Sequence, residues 1–282
     1  MSAAPAIQLA HDDPTAWLGR RSGIPIDQYH RATPGISKSN LDDAHRSIAH
    51  YLAGLGAERK ATPAMAFGEA FHARVLEPER FESAFAVSPE CDLRTKLGRE
   101  QMEAWRSEHQ GAIGIAAEWA TSIDSMRDAV MSHPIAGRLF EGGDAEHSFW
   151  WRDRETGLTC KCRPDYLRPD AIAVDLKTAT DASPDGFTRA VFNYRYHVQQ
   201  AFYSDGIASV LGVPLGGFLF VAVEKEPPYA VAVYNLDEFA SQRGRLDYQD
   251  DLARIKAHCD NPGVFTGYSP TIEEIRLPRW AE

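Results

Sequence analysis

The stretch "RPDYLRPDAIAVDLKTAT", residues 163–180, places two aspartates ten positions apart, Asp165 and Asp175, and follows the second with Lys177 inside an otherwise apolar run. In a strand, residues two apart share a face, so Asp175 and Lys177 project together while Leu176 projects to the opposite side. If the connection "RPDA" is an odd-length loop or carries a bulge, Asp165 stands opposite Asp175 on the neighbouring strand, with Cβ atoms about 5 Å apart. Carboxylates that close repel unless a cation compensates, and paired hard oxygen donors suit magnesium or manganese. Lys177 is poorly placed as a ligand but well placed to orient a water or to offset charge developing on a phosphate. These residues alone leave two readings open: a metal-dependent hydrolytic site, or a salt bridge at a strand end.

The elements that must carry them follow from the punctuation of the chain. With 282 residues, 44% of them hydrophobic, the chain can bury the core of one large domain. No stretch approaches the roughly 18–20 apolar residues of a membrane span, and "MSAAPAIQLAHDDP" lacks the basic start and apolar centre of a secretory signal, so a cytoplasmic protein with no membrane partner is expected. Cys91, Cys160, Cys162 and Cys259 match no usual zinc or iron–sulfur spacing and read as reduced thiols. Residues 1–35, rich in Pro, Gly and Asp, read as a loosely structured segment, and residues 36–282 as the folded domain.

A helix capped by Ser37 or Ser39 is predicted through "LDDAHRSIAHYLAG" to Gly54, and the stripe "YLAGLGAERK", residues 51–60, reads as a helix end. A second helix starts with Thr62 as cap and Pro63 at its first position, and stops at Pro78. Residues 97–140 read as two more helices. The period then changes, and "AEHSFWWRD", "GLTCKCRPDYL" and "AIAVDLKT" read as three successive strands. A helix around "YHVQQAFYSDGIASVLG", strands "GFLFVAVEK" and "YAVAVYNL", and a helix over 237–258 complete the order. The expectation is an α/β fold, with a mixed central sheet flanked by helices and additional N-terminal helices.

"RPDYL…AVDLK" resembles the core of the PD-(D/E)XK nuclease superfamily in its Asp-x-Lys form. The ordered segments "YHRATPGISKSNL", "FGEAFHARVLEP", "AEHSFWW", "CKCRPDYL", "VDLKTATDASPDGF", "YHVQQAFYSDG" and "VEKEPPYAVAVY" narrow the resemblance to the RecB-like exonucleases, and within them to the RecE-type exonuclease VIII group. It spans about Tyr29 to Tyr234. The resemblance implies a restriction-endonuclease-like core within 36–282 and hydrolysis of DNA phosphodiesters with Mg²⁺, for which Mn²⁺ substitutes. It further implies digestion of double-stranded DNA from 5′ to 3′, leaving 3′ tails for a single-strand annealing recombination protein, as in phage or prophage systems. A single-strand or structure-specific endonuclease of the same fold, and an inactive DNA-binding or partner-binding module, are the alternatives.

Residue by residue, the resemblance makes His72, Asp165, Asp175 and the Leu176 carbonyl metal ligands, and Glu146, Asp165, Asp175 and Lys177 the catalytic set. By itself His72, among Phe67, Phe71 and Val75, reads as a packed core histidine; Gly68, one turn earlier, would let its helix approach another element closely. Gln199 and Tyr203 form an i,i+4 pair resembling the family's Q-x-x-x-Y motif, which supports the site or touches DNA. Ser37, Lys38 and Ser39 beside a helix start would hold a phosphate, or simply cap the helix. Thr178 and Thr180 would contact the cut strand, and Arg163, Arg189 and Arg195 would line a phosphate track. The net charge of −10, from 40 acidic and 30 basic residues, is the wrong sign for holding a polyanion by general attraction. The resemblance therefore implies a ring-shaped homo-oligomer, with Lys161, Arg163, Lys177, Arg189 and Arg195 as its channel cations.

Overall fold

The computed structural model describes residues 14–56 and 62–277. A 3-10 turn (Pro14–Trp17) precedes β1 (Gly19–Arg21) and the helices α1 (Ile26–Arg31), α2 (Lys38–Arg46) and α3 (Ile48–Gly56). Then follow α4 (Pro63–Leu76), α5 (Pro78–Ala84), β2 (Phe85–Val87), α6 (Lys96–Glu108), β3 (Ile113–Ile115), α7 (Ala117–Ser132) and α8 (Ala136–Leu139). The strand-rich part comprises β4 (Asp144–Ala145), β5 (Ser148–Arg152), β6 (Thr159–Cys162), β7 (Tyr166–Leu167) and β8 (Ile172–Ala179). The chain ends with α9 (Pro184–Asn193), α10 (Tyr196–Leu211), β9 (Gly217–Glu224), β10 (Val231–Asn235) and α11 (Glu238–Asp260).

The central sheet has the order β10-β9-β8-β7-β4 and is mixed, because β8 and β9 run parallel while the other pairs are antiparallel. Both its faces are covered, and the alternation in β9 shows how. Phe218, Phe220 and Ala222 enter one core with Val198 and Phe202 of α10 and Leu252 of α11. Val221 and Val223 enter a second core with Phe71 of α4, Met126 of α7 and Leu176 of β8. Each large side chain so buried contributes about 1.5–3 kcal/mol. The expected α/β architecture, helices on both faces of a mixed sheet, is the one found.

Four local expectations are corrected. The single strand "GLTCKCRPDYL" is two strands in two sheets: β6 pairs with β5 in a three-stranded sheet completed by β1, whereas β7 pairs with β8 and β4. The change falls at residues 163–165, where Pro164 has no N–H to offer a ladder. The helix expected to reach Gly54 is α2 and α3, broken at an extended Ser47 (φ −175°, ψ 161°) whose Oγ accepts the His50 N–H. Residues 14–33 are not loose: β1 pairs with β5, Trp17 lies 5.2 Å from Trp150 ring to ring, and Tyr29 is buried. Residues 1–13 of that segment, and 57–60 of the stripe ending in Lys60, lie outside the described residues. Finally, α5, the parallel β2–β3 pair and α9 were not expected. Of these α9 has plain signals, Ser183 as cap accepting from the Gly186 N–H and Pro184 at the first position.

All four cysteines are free thiols, Cys160 and Cys162 both buried in the first core. No helix among the described residues is long and apolar enough to cross a membrane.

Candidate active site

The register of β7 and β8, Tyr166↔Val174 and Leu167↔Ala173, sets Asp165 across from Asp175. The connection has the odd length that this requires. Arg168 N–H donates to the Ile172 carbonyl, and residues 169–171 turn the chain with Ala171 left-handed at φ 58°. Asp165 thus sits where the chain passes between the two sheets, and its Oδ2 accepts the Leu176 N–H at 2.6 Å. Leu176 itself fills the second core, on the face opposite Asp175 and Lys177.

Glu146 lies between β4 and β5 with φ 54°, a left-handed conformation that costs a residue with a side chain about 1–2 kcal/mol. Its N–H donates to the Asp165 carbonyl at 3.0 Å, which fixes the two residues side by side. His72 arrives from α4, whose Ala70, Phe71 and Ala73 anchor the helix in the second core. Its Nδ1 is 3.7 Å from Asp165 Oδ1. His72 is thus part-exposed at the site and not a core histidine, and a Cβ at Gly68 would meet nothing within 4 Å, so Gly68 allows no close approach. His72, Glu146 and Asp165 each present a ligand atom within 4.8 Å of the others.

The electrostatics of this trio are unfavourable as they stand. Burial first, and then Asp165, push the Glu146 carboxyl up to about 8. Burial and then Asp175 raise Asp165 to about 6, against the pull of His72, Lys177 and the Leu176 N–H. Two carboxyls, each pushed up by burial and by a neighbouring carboxylate, together with one imidazole fit a small divalent cation, whose charge would relieve the repulsion.

Beside the trio, a second group is already balanced. Asp175, 1% exposed, pairs with the Lys177 ammonium, and Gln199 of α10 donates to Asp175 Oδ2 at 2.5 Å while its Oε1 accepts from Lys177 Nζ at 3.1 Å. Burial works against the lysine's charge, but Asp175 and Asp165 outweigh it, and its pKa ends above the ordinary value. Lys177 is therefore a firmly held ammonium, suited to stabilising anionic charge and not to taking up a proton. Its Nζ also lies 4.6 Å from the centre of the Tyr196 ring. Tyr196 was absent from the expectations; an aromatic three residues before Gln199 on a helix face was the only signal.

A cleft of about 1290 Å³ opens on the trio and is lined by Ser37, Ser39, His72, Glu146, Asp165 and Tyr203. Ser37 caps α2, with Asn40 Oδ1 accepting both its N–H and its hydroxyl, and its Oγ is 3.1 Å from Ser39 Oγ. Lys38 points elsewhere, donating to the Tyr194 carbonyl at 2.6 Å and pairing with Asp42. Thr178 follows Lys177 in β8, level with Val223 of β9, and Thr180 is exposed beyond the strand end.

The expected phosphate track is corrected at Arg163 and Arg195, and the expected channel cations at Lys161. Arg163 is buried, donates to Ser148 Oγ at 2.7 Å and to the Ile24 carbonyl at 2.9 Å, and lies over the Tyr29 ring. Lys161, also buried, donates to the carbonyls of Tyr29 and Thr33. These two cations fasten residues 24–33 over β6. Arg195 is taken up by Asp42 and Asp251, and Arg189, two-thirds exposed, pairs with Asp181.

The crystal structure of a protein described as a putative exonuclease from Eubacterium rectale has the same fold, with a TM-score of 0.61 and 12% identity over 87% of this chain and 91% of its own. The crystal structure of SSO0001 is 13% identical over 80% of this chain and 86% of its own, but at a TM-score of 0.28 it carries no weight. No curated protein matches the chain. The fold and the Asp165–Asp175–Lys177 arrangement agree with a match over residues 37–278, most of the chain, and on that match the protein belongs to the family described as PDDEXK-like domain of unknown function (DUF3799).

Proposed function

We propose that the chain is a cytoplasmic, divalent-metal-dependent deoxyribonuclease, with Mg²⁺ as its working ion and Mn²⁺ able to substitute. One observation carries the reading: two part-buried carboxyls held side by side and an imidazole converge beside an ammonium fixed by Asp175 and Gln199. The PDDEXK-like family and the exonuclease named among its structural neighbours support it. His72, Glu146 and Asp165 would hold the metal, and Asp175 and the Leu176 carbonyl are proposed to complete the set. A divalent ion bound there lowers the pKa of a bound water and neutralises charge on the phosphate. Lys177 places its ammonium where negative charge accumulates on the scissile phosphate. Gln199 holds Lys177 and Asp175 in one orientation, so the cation does not collapse onto a competing partner. Ser37 and Ser39 at the start of α2 offer hydroxyls to a neighbouring phosphate from across the cleft.

The finer reading is a 5′ to 3′ exonuclease on double-stranded DNA, leaving 3′ tails for an annealing protein in phage-type recombination. A ring-shaped homo-oligomer belongs to the same proposal, since a chain of net charge −10 gains little from general attraction to DNA. With Lys161, Arg163 and Arg195 engaged inside the chain, such a ring would hold DNA by enclosure more than by a cationic wall. End-labelled linear duplex and closed circular duplex, incubated side by side with Mg²⁺ and with chelator, test the reading. Digestion of the linear form alone, abolished by chelator, is expected. Cutting of the circle would remove the exonuclease assignment, and no cutting of either would remove the nuclease. Light scattering that returned a monomer mass would remove the ring.

A further inference from the structure

The junction of α9 and α10 presents two large rings to solvent, Phe192 in the last turn of α9 at 76% exposure and Tyr194 just beyond the helix at 62%. Tyr194 is not an isolated surface residue. Tyr194 stacks on Tyr196 at 5.6 Å between centroids, and Tyr196 stacks on the buried Phe220 at 5.7 Å. A column of rings thus runs from the core to the surface, and Lys177 Nζ sits over its middle member.

The turn is also held firmly. Arg195 adopts a left-handed conformation, φ 53°, at the start of α10. Its guanidinium donates to Asp251, which is fully buried, at 2.6 Å and to Asp42 at 3.0 Å. Lys38 binds the Tyr194 carbonyl and the same Asp42. Buried ion pairs add little net stability, but they fix geometry, and here they fix a strained turn whose outward side is two aromatic rings.

Resting on the nuclease reading above, we infer that Phe192 and Tyr194 form a stacking platform for unpaired bases, so that the substrate engaged at Lys177 is single-stranded or frayed at its end. The outer face of Tyr194 is the open end of the ring column, and every base has a π-face that can extend such a column regardless of sequence. Bases inside a duplex are already stacked on one another, which restricts the platform to unpaired ones. Lys177, the ammonium assigned to the scissile phosphate, lies over the middle ring of the column, so a strand whose backbone reaches it brings its neighbouring bases toward Tyr194. Stacking also supplies local affinity that the chain's overall charge does not.

The test uses the full chain in chelator, so that binding is read without cleavage, and short single strands carrying 2-aminopurine near either terminus. Binding should quench the probe at one terminus. The Phe192→Ala/Tyr194→Ala double variant should lose that quenching and bind about tenfold more weakly per ring removed. Tyr194→Trp should keep both, and the melting temperature should not move because both rings are exposed. With Mg²⁺ and blunt duplex, the double variant should raise KM with little change in kcat. Unchanged affinity and quenching in a double variant that still cuts would overturn the platform while leaving the nuclease standing. A wild-type chain that neither binds nor cuts would overturn both. Loss of self-association in the double variant, with DNA binding intact, would assign the rings to an interface between copies and overturn the inference.

Discussion

Two halves of one site solve the burial of carboxylates in opposite ways. Asp175 is closed in on itself, with Lys177 neutralising it and Gln199 satisfying both partners. Asp165 and Glu146 have no comparable arrangement: burial and then Asp165 push Glu146 up, burial and then Asp175 raise Asp165, the Arg163 guanidinium comes no closer to Glu146 than 4.0 Å, and the part-exposed His72 stands at 3.7 Å from Asp165. One half is electrostatically complete as folded, the other is completed by a cation. The difference separates chemistry from metal binding, and substitutions in the two halves should fail differently.

The largest effect is expected from Asp165→Ala, which removes the carboxylate at the centre of the metal-binding half. Calorimetric Mn²⁺ binding should disappear and activity should fall by about three orders of magnitude. Retention of either would break the assignment of Asp165 to the metal. Lys177→Ala strikes only the balanced half. Activity should drop about a hundredfold while Mn²⁺ binding persists, and denaturant unfolding should show a loss of ~3 kcal/mol because Asp175 is left buried without its cation. If Mn²⁺ binding vanished with Lys177, the two halves would not be separable.

His72→Gln should weaken Mn²⁺ binding by about tenfold or more, with a matching loss of rate at low metal and almost no change in melting temperature. A variant that melts early yet works normally at saturating metal would make His72 a packing residue after all. The smallest effect, and the one of opposite sign, is expected from Glu146→Gln. Glu146 is the carboxyl pushed up by burial and by Asp165, so removing its charge should raise the metal-free melting temperature by a few degrees while weakening the metal-induced stabilisation. A fall in the metal-free melting temperature would show that the repulsion is not what governs this half.

Much of the balanced half was legible in the chain. The ten-residue separation of Asp165 and Asp175, the alternation along β8 and the odd turn between them together imply the facing pair, because strand register is local arithmetic. The i,i+4 pairing of Gln199 and Tyr203 placed them on one face of a helix, and the helix proved to be α10. The ring column beneath Lys177 was not legible, since Phe220 and Tyr196 meet through a sheet–helix contact that no spacing announces. Nor was the fate of the arginines and Lys161. A basic residue near a catalytic motif looks the same in sequence whether it faces DNA or a carbonyl from a distant segment.

By itself, then, the sequence determined the period of the longer helices and of β8–β10, the caps Ser37 and Thr62, and the face on which Asp175 and Lys177 stand, all of which depend on neighbours a few positions away. Only the tertiary structure decided that Glu146, in a left-handed turn between two sheets, and His72, from a helix 74 residues earlier, complete the Asp165 cluster. It also decided that Lys161 and Arg163 fasten residues 24–33 in place, more than 100 positions back along the chain. Such contacts have no local signature because burial, not adjacency, selects them: a buried cation takes whichever carbonyl or ring the packed chain brings within reach.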